Sequence, residues 1–337
     1  MGRGNTTTAQ RVIHINQERA KRPRYPPNII RNQKYHPATF LFWVLFNQFK
    51  YFFNLYFLLV CISQFIPLFR VTYLVTNVVP LTLVLTITIC KEAYDDLQRW
   101  RRDKEANGQM YQRLSFDKQT SAVTTEYVAC SELQVGDIVI LGKDERIPAD
   151  MVLLRTSERS GSVFIRTDQL DGETDWKLRQ ALAGTQSLSR DEDIFRLEGC
   201  ISADRPHKDI HQFTGNFCHF PVEYQDGGMA HDQPMVAHEL TEPVTIENTL
   251  WMNTIIASGT AVGCVIYTGT DTRAVMNTSK PKTKDGLTDQ EINRLSKWLC
   301  LILVILSVTM VALRGFHGLW WVFLIRFIVL FSTIIPL

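Results

Sequence analysis

The sequence predicts an α-helical transmembrane protein, two helical hairpins with a mainly β cytosolic domain between them. Three observations carry this fold class. Apolar residues make up 45% of the 337 residues and fall in two paired runs. The stretch between the pairs alternates short apolar segments with turn residues, and basic side chains flank the first pair on one side. A content this apolar and this unevenly placed does not belong to an ordinary soluble domain.

The spans come first. Between Tyr51 and Cys90 only Arg70 is charged, which divides the run into Phe52 to Phe69 and Val71 to Cys90. Each piece can cross a hydrocarbon core of roughly 30 Å as a helix of about 20 residues. The second pair is Trp298 to Leu313 and Leu319 to Leu337, joined by Arg314-Gly315-Phe316-His317-Gly318 and holding Arg326 in its last run. Buried core helices read similarly one by one, but paired runs with turn-length links favour four membrane spans. Inside them, Asn54, Ser63, Gln64 and Pro67, then Asn77 and Pro80, face a protein interior or a wet groove, through interhelical hydrogen bonds or a ligand. In the fourth span Ser332, Thr333 and Pro336 stand close together, where a proline frees a backbone carbonyl at membrane depth.

Charge sets the orientation. The first 34 residues hold eight basic side chains against the single acid Glu18, and Pro23, Pro26 and Pro27 interrupt any helix. This reads as a flexible basic arm, either a topology-setting tail or one that touches anionic lipid heads. The apolar run starts too late for a signal peptide. With Arg99, Arg101, Arg102 and Lys104 after the second span, the arm and the central segment both lie on the cytoplasmic side. The division expected is an arm over 1–48, a first hairpin over 49–97, a cytosolic domain over 98–293 and a second hairpin over 294–337.

In the central segment, Val123 to Val128, Ile138 to Leu141, Met151 to Arg155 and Val163 to Arg166 read as strands, punctuated by Gly136-Asp137, Ile147-Pro148-Ala149 and Ser160-Gly161. A polar, weakly patterned inserted loop region covers about 187–240. Strands resume at Thr254 to Ser258 and Ala261 to Tyr267. No Gly-rich phosphate loop, nucleic-acid motif or internal repeat occurs. Seven cysteines without CxxC spacing argue for reduced thiols rather than a disulfide framework. Cys200, His207, His211 and Cys218 are a conceivable zinc set, although loop residues in the polar insert explain them more simply, and no metal site is expected. Asp171-Gly172 is a turn signal that places Glu173 and Thr174 on an exposed loop. Its sharper reading is a glycine that lets backbone approach a bulky partner, so that the next carboxylate can orient a water or take its proton.

The ordered set Val135-Gly136-Asp137-Ile138-Val139, Arg146-Ile147-Pro148-Ala149-Asp150, Asp171-Gly172-Glu173-Thr174 and Gly269-Thr270-Asp271-Thr272-Arg273, framed by helix hairpins, resembles the N-terminal part of a P-type ATPase, and more narrowly a type IV enzyme, a phospholipid flippase. Asp175-Trp176-Lys177-Leu178-Arg179, and Tyr267-Thr268-Gly269 through Met276-Asn277-Thr278, are similar to the class II branch with its IIA and IIB forms. The resemblance implies an actuator domain whose loop of Asp171, Gly172, Glu173 and Thr174 dephosphorylates an aspartyl phosphate, Glu173 deprotonating the attacking water. It further implies a phospholipid partner in the bilayer contacted by Asn54, Ser63, Gln64 and Pro336, ATP and Mg2+ for a full-length enzyme with none bound by this segment, a trans-Golgi or endosomal membrane, and independence of the usual flippase β-subunit.

The sequence departs from that pattern in two ways. Pro336 is followed directly by Leu337, without the isoleucine, serine and leucine of the family. No Asp-Lys-Thr-Gly motif, nucleotide-binding domain or later magnesium-site aspartates occur either. This chain alone is therefore expected not to complete the cycle, as an incomplete gene model or a truncated isoform in preference to one half of an enzyme whose remainder is encoded elsewhere. The alternatives are a non-catalytic membrane protein whose actuator fold binds a partner or regulates a relative, and a cation-pump fragment. The second is disfavoured because no predicted span holds an acidic residue.

Overall fold

The computed structural model describes residues 10–15, 19, 22–71, 73–117, 122–188, 190, 193–194, 199–219, 240–278 and 286–334. The chain divides into two compact units, 1–31 with 102–280 and 32–101 with 281–337. The first is mainly β, the second helical.

The helical unit opens with α1 (Phe40–Phe49) and α2 (Phe52–Gln64), bent 99° from each other. Helix α1 falls at the end of the stretch that the charge pattern gives to the arm. Its Phe-Leu-Phe-Trp-Val-Leu-Phe run is too short to signal a span, yet with Asn47-Gln48-Phe49 it makes nearly three helical turns. Tyr51 breaks the pair with extended backbone, and the Asn54 side chain donates across the bend to the Gln48 carbonyl at 3.1 Å. Next comes α3 (Leu74–Gly108), a 35-residue helix that carries Pro80 in its interior and runs on into the charged segment.

Thirteen strands are found among the described residues of the β unit: β1 (Arg11–His14), β2 (Met110–Asp117), β3 (Ala122–Ala129), β4 (Ile138–Leu141), β5 (Asp150–Thr156), β6 (Ser162–Arg166), β7 (Trp176–Gln180), β8 (Gly199–Ala203), β9 (Thr214–His219), β10 (Leu240–Thr245), β11 (Thr249–Leu250), β12 (Ile255–Ile256) and β13 (Ala261–Tyr267). Short helices α4 (Asp168–Asp171), α5 (Ala183–Gln186) and α6 (Arg273–Asn277) lie among them. The strands form a central sheet in the order β11-β5-β13-β4-β2-β3, a second sheet β1-β8-β9-β10 and a third, β12-β6-β7. All seven residues of β13 are buried, because the central sheet has a core on each face. Val152, Leu154, Val262, Cys264 and Ile266 point into one core, while Met151, Leu153, Ala261 and Val265 point into the other. That is the period-two alternation of a strand, with both faces apolar.

The second sheet corrects two expectations. The insert over 187–240 contains β8 and β9, whose inward residues Ile201, Ala203 and Phe217 are buried, while Ser202, Asn216 and glycines elsewhere hid the strand pattern. The basic arm is not loose over its described residues: β1 pairs antiparallel with β8, and Ile13 and Ile15 enter the core. Arg19, Arg22 and Arg113 all reach Asp137, whose side chain is 2% exposed. Buried Asn28 donates to the carbonyls of Cys130 and Pro148 and accepts from the Gly269 amide. The arm's cations have fixed carboxylates to meet, and its prolines fit an extended strap that needs few backbone bonds.

Returning to the helical unit, α7 (Leu287–Arg314) and α8 (Trp320–Ile334) follow. Arg326 donates to the Leu68 carbonyl at 3.0 Å, and Tyr56, Val60 and Val329 form a small buried cluster. Of the four spans expected, α3 and α7 are long and apolar enough to cross a membrane. The bent α1–α2 pair adds a third if taken as one broken span, and α8 is a shorter apolar helix over Trp320–Leu330. The run from Phe52 ends its helix at Gln64, three residues before Pro67, whose ring disfavours α backbone just before it.

Candidate functional site

The loop of Asp171 to Thr174 belongs to the connection between β6 and β7, which pair antiparallel with Arg166 opposite Trp176. One helical turn, α4, leads into it, and Gly172 ends that turn at φ +79, donating its amide to the Asp168 carbonyl at 3.1 Å. This left-handed backbone favours glycine. A Cβ built on Gly172 would meet nothing within 4 Å, so the geometry of this chain calls for glycine through backbone angle rather than space. Asp171 turns back on the loop: its Oδ1 accepts the Glu173 amide at 2.9 Å, the Asx arrangement that short acidic side chains favour in turns.

Lys177, on β7, ties the two carboxylates together. Its Nζ lies 2.6 Å from Asp171 Oδ2 and 2.7 Å from Glu173 Oε2. Asp171 is nearly covered, with its side chain 8% exposed, whereas Glu173 is 58% exposed. Burial pushes Asp171 up, but the Lys177 ammonium and the Glu173 amide outweigh it and hold the carboxyl below the usual range. Burial likewise pulls Lys177 down, and its two carboxylate partners return it above the ordinary lysine value. Thr174 is exposed beside Glu173. The four loop residues predicted from sequence therefore sit together, with one carboxylate structural and the other presented outward. Lys177 was absent from the expected site. A lysine four positions after a glutamate was the available signal, although on a strand that spacing carries no helical meaning.

The remaining motif segments turn inward. Asp150 and Arg273 are both fully buried; Asp150 accepts the amides of Met252 at 2.8 Å and Arg273 at 2.9 Å. The Arg273 guanidinium lies 3.8 Å from the Trp251 ring centroid and donates to the carbonyls of Asp209 and Gln212. Burial pushes the Asp150 carboxyl up to about 6, the two amides and the Arg273 charge offsetting part of that cost. His207 goes to this network, 3.1 Å from Arg273, and the His211 amide bonds Asp209. Cys200 and Cys218 instead become neighbours across β8 and β9. The conceivable zinc set is thus dispersed, and among the described residues no three His, Cys, Asp or Glu side chains gather to hold a metal. Among the described residues, the Asp171 and Glu173 carboxylates meet Lys177 and gather no third metal-ligating side chain.

In the helical unit, Ser63 and Gln64 lie at the end of α2. Gln64 is fully buried, donating to Ser63 Oγ and accepting the Val71 amide, while Ser63 donates to the Val60 carbonyl. Asn54 lies near the other end of the helix, roughly 15 Å away by helical rise, so the three do not form one cluster. Pro336 lies outside the described residues, as do the side chains of Ser332 and Thr333.

Two family models match. Residues 13–78 match the model described as phospholipid-translocating ATPase N-terminal, and residues 116–276 match the P-type ATPase actuator domain. The human protein named Probable phospholipid-transporting ATPase IIB is 50% identical over 314 residues, covering 93% of this chain and 26% of its own length. Its zebrafish namesake is 48% identical over 331 residues, 97% of this chain and 27% of its own. The Phospholipid-transporting ATPase NEO1 of Saccharomyces cerevisiae is 45% identical over 317 residues, 94% of this chain and 25% of its own. The chain spans about a quarter of the length of the curated relatives it matches. With an actuator domain whose motif segments occupy the places just described, the chain belongs to the phospholipid-transporting branch of the P-type ATPase family.

Proposed function

We propose that this chain is the membrane-entry and actuator portion of a flippase that couples ATP hydrolysis, through an aspartyl phosphate carried on sequence beyond it, to phospholipid translocation. The observation that carries the reading is the loop geometry: an exposed Glu173 on a fixed turn, with Asp171 below it holding that turn. In this reading Glu173 leaves Lys177, orients a water against the acyl phosphate and takes its proton, while Gly172 allows the close approach and Asp171 and Thr174 hold the loop's shape. Positioning and electrostatics supply most of the rate in such a transfer. ATP and Mg2+ are implied for the full-length enzyme, where they would supply the phosphoryl group and neutralise its charge, and none of the Asp171 loop residues is proposed to hold them.

Asn54, Ser63 and Gln64 are proposed head-group contacts, with Ser63 and Gln64 as the nearer pair and Pro336 as a fourth-span contributor. A trans-Golgi or endosomal membrane and independence of a β-subunit rest on the class II resemblance alone. The test is Glu173→Gln in the full-length enzyme. The expected result is a phosphoenzyme that forms from ATP and persists on chase, with lipid-stimulated hydrolysis lost. Unchanged turnover would remove Glu173 from the reaction.

A further inference from the structure

Two cysteines that lie 18 positions apart in the sequence are brought side by side by the second sheet. Cys200 on β8 is the direct antiparallel partner of Cys218 on β9. Both are half-buried on the outer face, since their strand neighbours Ile201 and Phe217 are the ones that point into the core. The pairing type follows from one hydrogen bond. The Ile15 amide donates to the Gly199 carbonyl at 2.9 Å, so the backbone groups of Gly199 face β1. Successive residues of a strand alternate, so those of Cys200 face β9. Cys200 and Cys218 are therefore a hydrogen-bonded pair, with Cα atoms about 5.5 Å apart. That separation lies within the range that a disulfide spans.

His14 on β1 is opposite Cys200, and Thr241 on β10 is opposite Cys218, completing one row across the sheet. The Cys218 sulfur lies 3.7 Å from Thr241 Oγ1. By contrast, Cys130 and Cys264 are buried in the cores, where burial pushes their thiols up to about 11 and about 12. Thiol chemistry requires access, and among Cys130, Cys200, Cys218 and Cys264 it is Cys200 and Cys218 that are only partly buried.

We infer that Cys200 and Cys218 form a reversible dithiol–disulfide site that exchanges with small-molecule disulfides of the glutathione type. The Cys200 thiolate attacks one sulfur of glutathione disulfide, breaking that S–S bond and releasing one glutathione thiolate. The Cys218 thiolate then attacks Cys200 Sγ and expels the second. Two protein thiols and one glutathione disulfide become one protein disulfide and two glutathione thiols, so protons and electrons balance. Because hydrogen-bonded cross-strand pairs hold their Cβ atoms at the wide end of the usual spacing, closure pinches β8 toward β9, and a strained disulfide of this kind is readily reduced.

The test uses the 337-residue chain in detergent, equilibrated with glutathione disulfide, quenched by alkylation and mapped by mass spectrometry. The expected product is an intramolecular Cys200–Cys218 peptide at least tenfold more abundant than any other cysteine pair, lost on dithiothreitol treatment. In Cys218→Ser, Cys200 should instead retain a glutathione adduct. Separate adducts on both cysteines of the wild-type chain without a link would overturn the inference, as would no oxidation of either or equal linkage among other pairs. The wild-type chain decides the question, so the result does not depend on a variant folding.

Discussion

Gly269 is the position where sequence, backbone and arm meet most tightly, and replacing it with alanine gives the sharpest test of how the arm is held. Its φ is +54, and a Cβ there would run into the carbonyl oxygen of Pro27. The surrounding strap is bonded on both sides: Thr268 Oγ1 donates to the Pro26 carbonyl at 2.7 Å, and the Gly269 amide donates to Asn28 Oδ1 at 3.2 Å. The left-handed conformation alone costs alanine about 1–2 kcal/mol. Displacing a packed backbone adds about 1–3 kcal/mol, for a total of about 2–5 kcal/mol. Gly172→Ala is the internal control, with φ +79 but open space around the new methyl, so only the first contribution of about 1–2 kcal/mol applies. Urea unfolding of both variants in the 337-residue chain, together with hydrogen exchange over 22–31, measures the difference. Gly269→Ala should unfold earlier and lose protection in the strap, while Gly172→Ala leaves the strap unchanged. If Gly269→Ala proves no worse than Gly172→Ala, the Pro27 carbonyl is not fixed against this turn and the docked arm is refuted.

Further outcomes follow from the same contacts. Asn28→Ala removes the donor to two carbonyls and the acceptor of the Gly269 amide, all buried. It should lower stability by about 3 kcal/mol in urea unfolding, the scale of leaving buried polar groups without partners. Asp150→Asn leaves the Arg273 guanidinium buried without its countercharge, a loss of about 3–5 kcal/mol by the same measurement. In the wild-type chain, because the folded Asp150 carboxyl is raised to about 6, its contribution is most favourable below the ordinary carboxylate range and declines as pH rises through about 6. Asp171 has the opposite sign: its folded pKa is lowered, so the contribution of the Lys177 pair is present above the ordinary carboxylate range and lost as pH falls through the folded value. Exchange of the Glu173 amide against pH should follow that loss, and Lys177→Met should move it to higher pH.

Much of the β unit is legible in the sequence because its strands are the kind that pattern reveals. Ile138–Leu141 and Ala261–Tyr267 are found where their apolar runs predict them, and β5 and β6 extend the expected segments by a residue or two. Strands β8 and β9 stay hidden because the sheet uses small and polar residues on its outer face, and its inner face is marked by just Ile201, Ala203, Gly215, Phe217 and the polar His219. The arm escapes for another reason: its partners Asp137, Cys130 and Gly269 lie more than a hundred residues away, and no local pattern announces such contacts. In the helical unit, hydropathy located the apolar runs but not the bend at Tyr51, which is held by side-chain bonds of Asn54 rather than by a proline or glycine. At the loop, the turn and both carboxylates were readable, whereas the Lys177 bridge needed the register of β7.

The four motif segments divide their work by where their charges go. Asp137 meets three arginines, Asp150 meets Arg273 across a fully buried contact, and Asp271 takes Arg11 at 2.8 Å. Each of these carboxylates fastens distant segments of one domain, and the two buried ones, Asp137 and Asp150, would be costly to leave unpaired. The Asp171–Glu173 pair differs because one lysine serves both acids while one acid remains exposed. Shared, partly solvated ion pairs contribute little to stability and exchange partners at low cost. Glu173 can therefore leave Lys177 without unfolding the turn, since Asp171 keeps both the lysine and the Glu173 amide. Three segments fasten distant parts of the domain, and the fourth presents a carboxylate on a turn whose Asp171 bonds, to the Glu173 amide and to Lys177, do not run through the Glu173 side chain.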